Sequence, residues 1–371
     1  MDLVGFAAPL CLYALTLLLH LAIPTPWIAG YVRDDDGAPL RYRCNGMLVL
    51  IAVATIQGLA ANAGVIAWDF WWQHRVGVLA GVVTIGLVFT LVVVLTAPSQ
   101  GGALLRELFL GRRENPRLLG GRVDVKMFLY LAGAVLLQLN LQSFFAHHVL
   151  LRGGTAVPGA ALHLAAFSFF VLDYLFFERV HLYTYDFFAE RVGFKLGWGC
   201  LAFYPSFYAV GLWAVADCGG GTTPPGGLVL AMAAFVAGWC LARGANLQKY
   251  LFKLDPNHRF LGLFEPVALE HGDRRLLCSG FWGLSRHINY LGEILMASGL
   301  ALALSWPPDW AAQTSAHGWF AAFGPWLYPL YYVVLLVPRE RDDHRRCAAK
   351  YGPLWEAYCR RVRWRIVPGI Y

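Results

Sequence analysis

Nine long blocks of apolar residues constrain the fold of this chain more than any other feature. A helix needs about 20 apolar residues to cross a hydrocarbon core of ~30 Å. Each block is continuously apolar rather than alternating, which excludes the strands of a membrane barrel. The sequence therefore predicts an all-α, polytopic transmembrane helical bundle with nine to ten spans. The blocks cover residues 3–23, 47–68, 76–97, 127–145, 160–177, 196–216, 228–242, 290–306 and 317–337.

Composition agrees with this fold class and limits the kind of partner. Of the 371 residues, 58% are hydrophobic and 14% are charged, whereas a soluble globular chain carries roughly 25% charged residues. A net charge of +7 is compatible with nucleic-acid binding, but cations that lie between apolar spans are explained more simply by membrane orientation. We therefore expect membrane lipid, and no nucleic acid, as a partner.

The cations are distributed unequally between the two faces of the predicted bundle. Twenty-eight of the 30 Lys and Arg fall on one face, and only Arg75 and Arg152 fall on the other. The positive-inside rule makes the crowded face cytosolic, which includes residues 243–289 and the segment from 339 onward. The expected location is a bacterial inner membrane or an endoplasmic reticulum. The first block lacks a basic leader and a cleavage site, so it is interpreted as a retained span.

Metal chemistry is not expected from the cysteines and histidines. The eight cysteines include no C-x-x-C pair, the spacing typical of zinc, iron–sulfur and dithiol sites. The histidines show none of the H-x-x-x-H or H-x-x-H-H spacings of membrane di-iron enzymes. We predict no metal site and interpret these side chains as structural.

Four carboxylates lie at the end of the fifth apolar block and just after it, in the stretch DYLFFERVHLYTYDFFAER. Ionisable residues close to the membrane interior are costly and are candidates for function. Burial beside aromatic rings would raise a carboxyl pKa and keep its proton at neutral pH. The alternative is that these carboxylates lie at a solvated helix end and pair with arginines. The functional and the structural interpretation have about equal weight for Asp173 and Glu190, whereas the structural one has less weight for Glu178 and Asp186.

The C-terminal part of the chain concentrates cations, aromatic rings and amides. The stretches RGANLQKYLFK and GFWGLSRHINYLGE and the tail from Arg339 combine cationic heads, an aromatic plane and hydrogen-bonding amides, which suits a nucleotide. Neither G-x-G-x-x-G nor G-x-x-x-x-G-K occurs, so no Rossmann or Walker site is indicated. For the Arg345–Arg346 and Arg360–Arg361 pairs, anionic lipid headgroups are the preferred partner.

Several stretches in order resemble the integral-membrane sterol reductases. This family includes Δ14-, Δ7- and Δ24(28)-sterol reductases and the C-terminal part of the lamin B receptor. The similar stretches are LFLGRRENPR, ANLQKYLFK, LCSGFWGLSRHINYLGE, RERDDHRRCAAKYGPLWEAYC and the ending RVRWRIVPGIY. The resemblance covers nearly the whole chain.

The resemblance implies an NADPH site on the cytosolic side and a sterol that enters from the bilayer. Within one integral domain, 1–371, residues 1–217 would shape the sterol cavity and residues 228–371 would carry the NADPH-binding loops and tail. The cofactor residues implied by the motifs are Lys249, Lys253, Trp282, Arg286, His287, Asn289, Tyr290, Arg339, Asp343, Lys350 and Tyr351.

Reduction of an unactivated alkene requires a proton donor, followed by hydride transfer to the carbocation. The candidates for the donor are Glu178, Asp186 and Tyr358. The RHINY run resembles that of Δ14 and Δ7 enzymes, so a Δ14 or Δ7 ring bond is favoured. A Δ24 side-chain bond is the alternative, because two family acids are replaced here by Arg179 and Cys200 and Δ24-type members also lack the second of these acids.

Two other functions fit parts of the sequence. Isoprenylcysteine-type membrane methyltransferases, which use S-adenosylmethionine, place R-H-P-x-Y-x-G after a transmembrane helix. Here the corresponding run is RHINY, without the proline. The second alternative is a non-catalytic sterol-binding scaffold similar to the lamin B receptor.

Overall fold

The computed structural model describes residues 2–218, 222–305 and 316–371, and these residues are mostly helical. Six helices are long and apolar enough to cross a membrane, and three shorter apolar helices accompany them. Every predicted block falls on one of these helices. The prediction of a polytopic helical membrane protein is therefore confirmed.

The chain separates into two compact units, and the described residues of Met1–Gly221 form most of the first. Three two-stranded antiparallel sheets occur in the described residues, and the first two lie in this unit. The elements of the first unit are α1 (Leu3–Ala22), β1 (Trp27–Arg33), β2 (Pro39–Arg43), α2 (Gly46–Asn62), α3 (Phe70–Gln73), α4 (Arg75–Leu95), α5 (Leu104–Leu110), β3 (Arg117–Leu118), β4 (Val123–Asp124), α6 (Val125–Leu151), α7 (Pro158–Phe176), α8 (Glu178–His181), α9 (Tyr185–Phe188), a π-helix (Gly199–Phe203), α10 (Tyr204–Phe207) and α11 (Val210–Val215).

Helix α6 is the centre of the first unit. In the most apolar stretch of α6, 78% of the residues are buried, against 33% in the corresponding stretches of α1 and α4. Helix α6 packs against α1, α2, α7 and α10. Its buried Gln138 and Asn140 donate hydrogen bonds to the Ser168 Oγ and the Pro205 carbonyl, both at 2.9 Å, as polar side chains inside membrane bundles do. The Asp124 side chain caps its first turn by accepting a hydrogen bond from the Met127 amide at 3.0 Å.

The polar stretch after α7 does not continue as one helix. It forms the short helices α8 and α9, and α9 packs against β1 of the β1–β2 hairpin. Tyr42 of the hairpin is buried against Met127, Leu182 and Phe187. The carboxylates predicted from this stretch therefore lie in or beside a packed core rather than on a single rising helix.

The second unit comprises Thr222–Pro307 and Ala322–Tyr371, as far as they are described. Its longest elements extend beyond the predicted blocks into the polar residues that follow each apolar run. Its elements are α12 (Pro225–Leu254), β5 (Ala268–His271), β6 (Arg274–Leu277), α13 (Phe281–Leu284), α14 (Ile288–Leu304), α15 (Ala316–Tyr351, from Ala322 onward) and α16 (Pro353–Arg361).

Helices α12 and α14 approach each other closely because glycines lie at their crossing. A Cβ at Gly292 would lie 2.4 Å from the Ala242 nitrogen, and a Cβ at Gly238 would lie 2.6 Å from the Gly292 oxygen. Such a crossing, with small residues at the contact, is typical of membrane helix pairs. It brings the polar end of α12 beside the start of α14.

Among the described residues, no tenth span lies within 256–290, and no break near Gly324 and Pro325 divides the last long helix. Residues 256–287 hold the β5–β6 hairpin and α13, and α15 runs through Gly324 and Pro325 without a break. The described part of the chain therefore has nine apolar helices of ten residues or more.

Candidate functional site

The polar end of α12 carries four of the predicted side chains at helical spacing. Arg243, Asn246, Lys249 and Lys253 recur every three or four residues and share one side of the helix. On α15, Arg339 and Asp343 are likewise four apart. Lys253 interacts electrostatically with Lys249 and Asp343, so the second unit brings these cations and this acid together.

Trp282 of α13 packs into the same cluster. Its ring Nε1 donates a hydrogen bond to the Ala245 carbonyl at 2.8 Å, and the Lys249 Nζ lies 4.9 Å from its ring centroid, a cation–π contact. Gln248 fixes the preceding turn, because its Oε1 accepts a hydrogen bond from the Phe281 amide at 3.0 Å. The indole is therefore rigidly placed beside Lys249.

His287 is a neutral, buried imidazole. Burial and the nearby charges of Lys249, Arg286 and Arg339 lower its pKa to about 3. Its Nε2 lies 3.8 Å from the Asp343 Oδ2, but a neutral ring forms no ion pair there. The ring stacks on Tyr290, with centroids 4.8 Å apart.

Within residues 286–289, three buried polar atoms have no hydrogen-bond partner among the described residues. They are the Arg286 Nε, the His287 Nε2 and the Asn289 Oδ1. The Asn289 Nδ2 does have a partner, the Asn246 Oδ1, at 3.3 Å. Buried groups without partners are costly, so their concentration beside several cations marks a place where a polar, anionic ligand would be satisfied.

The C-terminal segment completes the loop that carries Arg286 and His287. Their backbone amides donate hydrogen bonds to the carbonyls of Trp364 and Arg365, at 3.0 and 2.8 Å. The Arg286 Nη1 also lies 2.7 Å from the Cys359 Sγ. The loop is therefore tied to residues about 78 positions further along the chain.

The remaining predicted residues of the second unit lie around this core. Tyr358 is buried, its hydroxyl donates to the Trp282 carbonyl at 3.1 Å, and burial raises its pKa. Lys350 is exposed, and its Nζ lies 5.1 Å from the Tyr351 ring centroid.

Sequence reasoning missed two residues that organise this unit. Glu340 is fully buried, and its carboxylate accepts hydrogen bonds from Arg365 at 3.1 Å and from the Tyr371 hydroxyl at 3.4 Å. Gln248 fixes the turn before α13. The position of Glu340 between Arg339 and Arg341 was a usable signal for it. Gln248 offered none, because its partners are backbone groups.

Glu178 lies in the first unit, at the N-terminus of α8. It is 6% exposed, and its Oε2 accepts a hydrogen bond from the Gly46 amide at 3.0 Å. Burial raises its pKa to about 7, and the Gly46 hydrogen bond opposes this shift. Glu178 can therefore hold or release a proton near neutral pH.

Asp186 lies in the same unit on α9, half-buried. Its backbone carbonyl and that of Phe187 each accept a hydrogen bond from the Lys126 Nζ at 3.0 Å. Lys126 is fully buried, so it fixes the segment that carries Asp186. Tyr174 interacts electrostatically with both Asp186 and Glu178, which places the two carboxylates in one region of the first unit.

Comparison with known proteins was made for the whole chain. A family model described as the Ergosterol biosynthesis ERG4/ERG24 family matches residues 4–371. The Delta(14)-sterol reductase of Arabidopsis thaliana is 33% identical over 350 residues, which are 91% of this chain and 88% of the plant protein. The Delta(14)-sterol reductase of Methylotuvimicrobium alcaliphilum is 32% identical and covers 95% of this chain and 80% of its own length. In Mus musculus, Delta(14)-sterol reductase TM7SF2 is 31% identical, with 96% and 83% covered.

Fold and site thus define a multi-pass helical membrane protein with a buried, cation-rich polar cluster. The match over nearly the full length adds the family: the chain belongs to the ERG4/ERG24 family. The names of its relatives support an oxidoreductase that acts on sterols. The resemblance inferred from the sequence motifs is confirmed.

Proposed function

We propose that this protein uses NADPH to reduce a carbon–carbon double bond in the ring system of a sterol, with the Δ14 bond as the first choice. The observation that carries the proposal is the cluster on the second unit, where cations, an indole and unpaired buried polar atoms meet. The relatives named Delta(14)-sterol reductases favour the Δ14 bond.

The residues of the second unit fit a reduced nicotinamide dinucleotide. Lys249, Lys253 and Arg339 would pair with its phosphates, as cations do with anionic oxygens. The buried Nε2 of His287 and Oδ1 of Asn289 would bond to its polar groups. When bound, NADPH supplies the hydride of the reduction.

The other predicted residues would support this site rather than contact the phosphates. Arg286 ties the loop to the C-terminal segment, and Tyr290 holds the His287 ring by stacking. Asp343 offsets part of the positive charge. We place Lys350 and Tyr351 at the rim, since Lys350 is exposed.

Glu178 is the first candidate for the proton donor. A general acid works best when its pKa lies near the operating pH, and burial raises the pKa of Glu178 to about 7. Its proton would go to one alkene carbon and leave a tertiary carbocation at the other. Asp186 is the second candidate, and Tyr358 is a member of the proton network on the second unit.

The test uses the purified full chain in detergent with NADPH and sterols unsaturated at Δ14, Δ7 or Δ24, followed by mass spectrometry. We expect the Δ14 sterol to gain two hydrogen atoms as NADPH is consumed. Glu178→Gln should lower this turnover at least tenfold. Unchanged profiles for all three sterols would overturn the reductase proposal, and turnover of only the Δ7 or Δ24 sterol would correct the bond.

Cofactor choice separates the proposal from the alternatives. NADPH should quench tryptophan fluorescence and S-adenosylmethionine should not. A methyltransferase would give the opposite result. Lys249→Gln should weaken NADPH binding about tenfold or more, the typical cost of a charge-assisted hydrogen bond. The matched control is Arg259→Gln, an exposed cation paired with Glu265, which should bind NADPH like the wild type. Sterol binding without any turnover would indicate a scaffold.

A further inference from the structure

The N-terminus of α2 meets the carboxyl group of Glu178 within the first unit. The first residue of α2 is Gly46, and its buried amide donates to the Glu178 Oε2 at 3.0 Å. The first amides of a helix lack partners inside the helix and carry a partial positive charge. Glu178 therefore caps α2 from a distance of 132 positions along the chain.

The residue that would ordinarily cap this helix has other partners. Asn45 precedes Gly46, but its side chain makes no capping hydrogen bond. Its Oδ1 lies 2.6 Å from the His20 Nδ1, and its Nδ2 donates to the carbonyls of His20 and Ile23, both at 3.0 Å. The Gly46 amide is thereby left to the carboxyl group.

The contact between Gly46 and Glu178 also depends on glycine at position 46, because any side chain there would occupy the space of the carboxyl group. A Cβ built there would lie 2.3 Å from the Glu178 Oε1, 2.9 Å from its Cδ and 3.0 Å from the Leu175 Cδ2. The nearest atoms belong to the end of a flexible side chain. An alanine would therefore push the carboxyl group aside rather than disrupt the backbone.

We propose that Gly46 is a positioning residue, which holds the carboxyl group of Glu178 in place and stabilises the carboxylate that remains after proton transfer. This inference rests on the proton-donor role proposed above. Glycine at position 46 lets the carboxyl group approach, and the amide with the end of α2 stabilises its charged form.

Other groups near this contact titrate or carry charge, so the readout must be specific for the carboxyl group. Cys44 and Tyr174 interact electrostatically with Glu178, and Arg179 with Cys44. Burial raises the pKa of Cys44 to about 12, so its thiol stays neutral. The remaining groups are His20 and Arg43 beside Asn45, and Asp186 beside Tyr174.

Gly46→Ala is the variant that tests the inference, and Gly58→Ala in the same helix is its control. A Cβ at position 58 would meet only the Trp68 ring, at an ordinary 3.8 Å. With sterol and NADPH, Gly46→Ala should lower kcat at least tenfold and leave NADPH affinity within twofold. Glu178→Asp in the Gly46→Ala background should restore at least threefold, because the shorter side chain clears the added methyl group.

A second readout does not depend on turnover. Infrared difference spectra against Glu178→Gln follow the C=O stretch of the Glu178 carboxylic acid as pH rises. Loss of the amide hydrogen bond should move the midpoint upward by about one pH unit in Gly46→Ala, a tenfold change in proton dissociation. The falling limb of the kcat profile at alkaline pH should move with it.

The two readouts separate failure of this inference from failure of the proposed function. If Glu178→Gln keeps wild-type turnover, Glu178 is not the donor, and the infrared midpoint alone then decides whether Gly46 tunes the carboxyl group. If Gly46→Ala and Gly58→Ala share one midpoint and one kcat, Gly46 has no positioning role.

Discussion

At the scale of single residues, His287 shows how the neighbours of a side chain set its charge. The sequence identifies it as a candidate, because it lies in a dense run of aromatic and polar residues. It does not reveal that the ring is neutral, since the pKa is lowered first by burial and then by charges that include Lys249 of α12 and Arg339 of α15. That property depends on the fold.

The neutral state predicts how stability changes with pH. The folded pKa of His287 is about 3, below its ordinary 6.5, so between these values the unfolded chain binds more protons and stability falls as pH falls. From pH 7 to pH 5 the wild type should lose about 2 kcal/mol more unfolding free energy than His287→Gln. Unfolding by sodium dodecyl sulfate at both pH values measures the difference.

The control for this prediction is the exposed His271. His271→Gln should follow the pH dependence of the wild type. Parallel pH profiles for the wild type and His287→Gln would show that His287 takes up its proton in the folded protein as readily as in the unfolded chain.

Lys126 marks the limit of prediction at this scale. By position it is one of the cations between two spans, which suggests a side chain in water. In the structure it is fully buried, and its partners are backbone carbonyls 60 and 61 positions away. No spacing rule connects residues so far apart, so neither its burial nor its hold on the Asp186 segment was predictable.

At the scale of elements, the existence of each long apolar helix was predictable, but several of the helix ends were not. The apolar blocks located the helices because lipid requires every backbone polar group to be paired within the segment. The polar extensions of α12 and α15 carry no apolar signal, and they hold most of the candidate cofactor residues. The hairpins at 27–43 and 268–277 are short, and apolar periodicity does not reveal them.

The crossing of α12 and α14 gives a prediction at this scale. Gly292→Ala would place a methyl group 2.4 Å from the Ala242 backbone nitrogen, which cannot move without separating the helices. The unfolding free energy should fall by about 1–3 kcal/mol, as in other overpacked contacts. NADPH affinity should also fall, because the polar ends of both helices contribute residues to the proposed NADPH site.

Gly226→Ala is the matched control for the crossing. It lies in the first turn of α12, and a Cβ there would meet no atom within 4 Å. This variant should be as stable as the wild type or slightly more stable, because alanine is a better helix former. Equal effects of the two substitutions would show that the helices are not held at this distance.

At the scale of the whole molecule, the uneven charge predicts orientation. Single introduced cysteines can report this orientation. The background variant has Cys11 and Cys240 replaced by serine, because these two native cysteines are exposed. A membrane-impermeant maleimide should label Gly226→Cys in intact cells, and Arg275→Cys only after the membrane is opened. The reverse pattern would place the basic face outside.

The hydrogen bonds from Arg286 and His287 to Trp364 and Arg365 affect the order in which the protein matures. A chain elongating on the ribosome makes the loop that carries Arg286 and His287 first and then α14, α15 and α16. The carbonyls of Trp364 and Arg365, which accept the hydrogen bonds of this loop, are made only afterwards. Until then the loop amides have only water or lipid headgroups as partners. If the proposed function holds, we expect a nascent chain to insert every span before this loop has the partners that it needs to hold a cofactor.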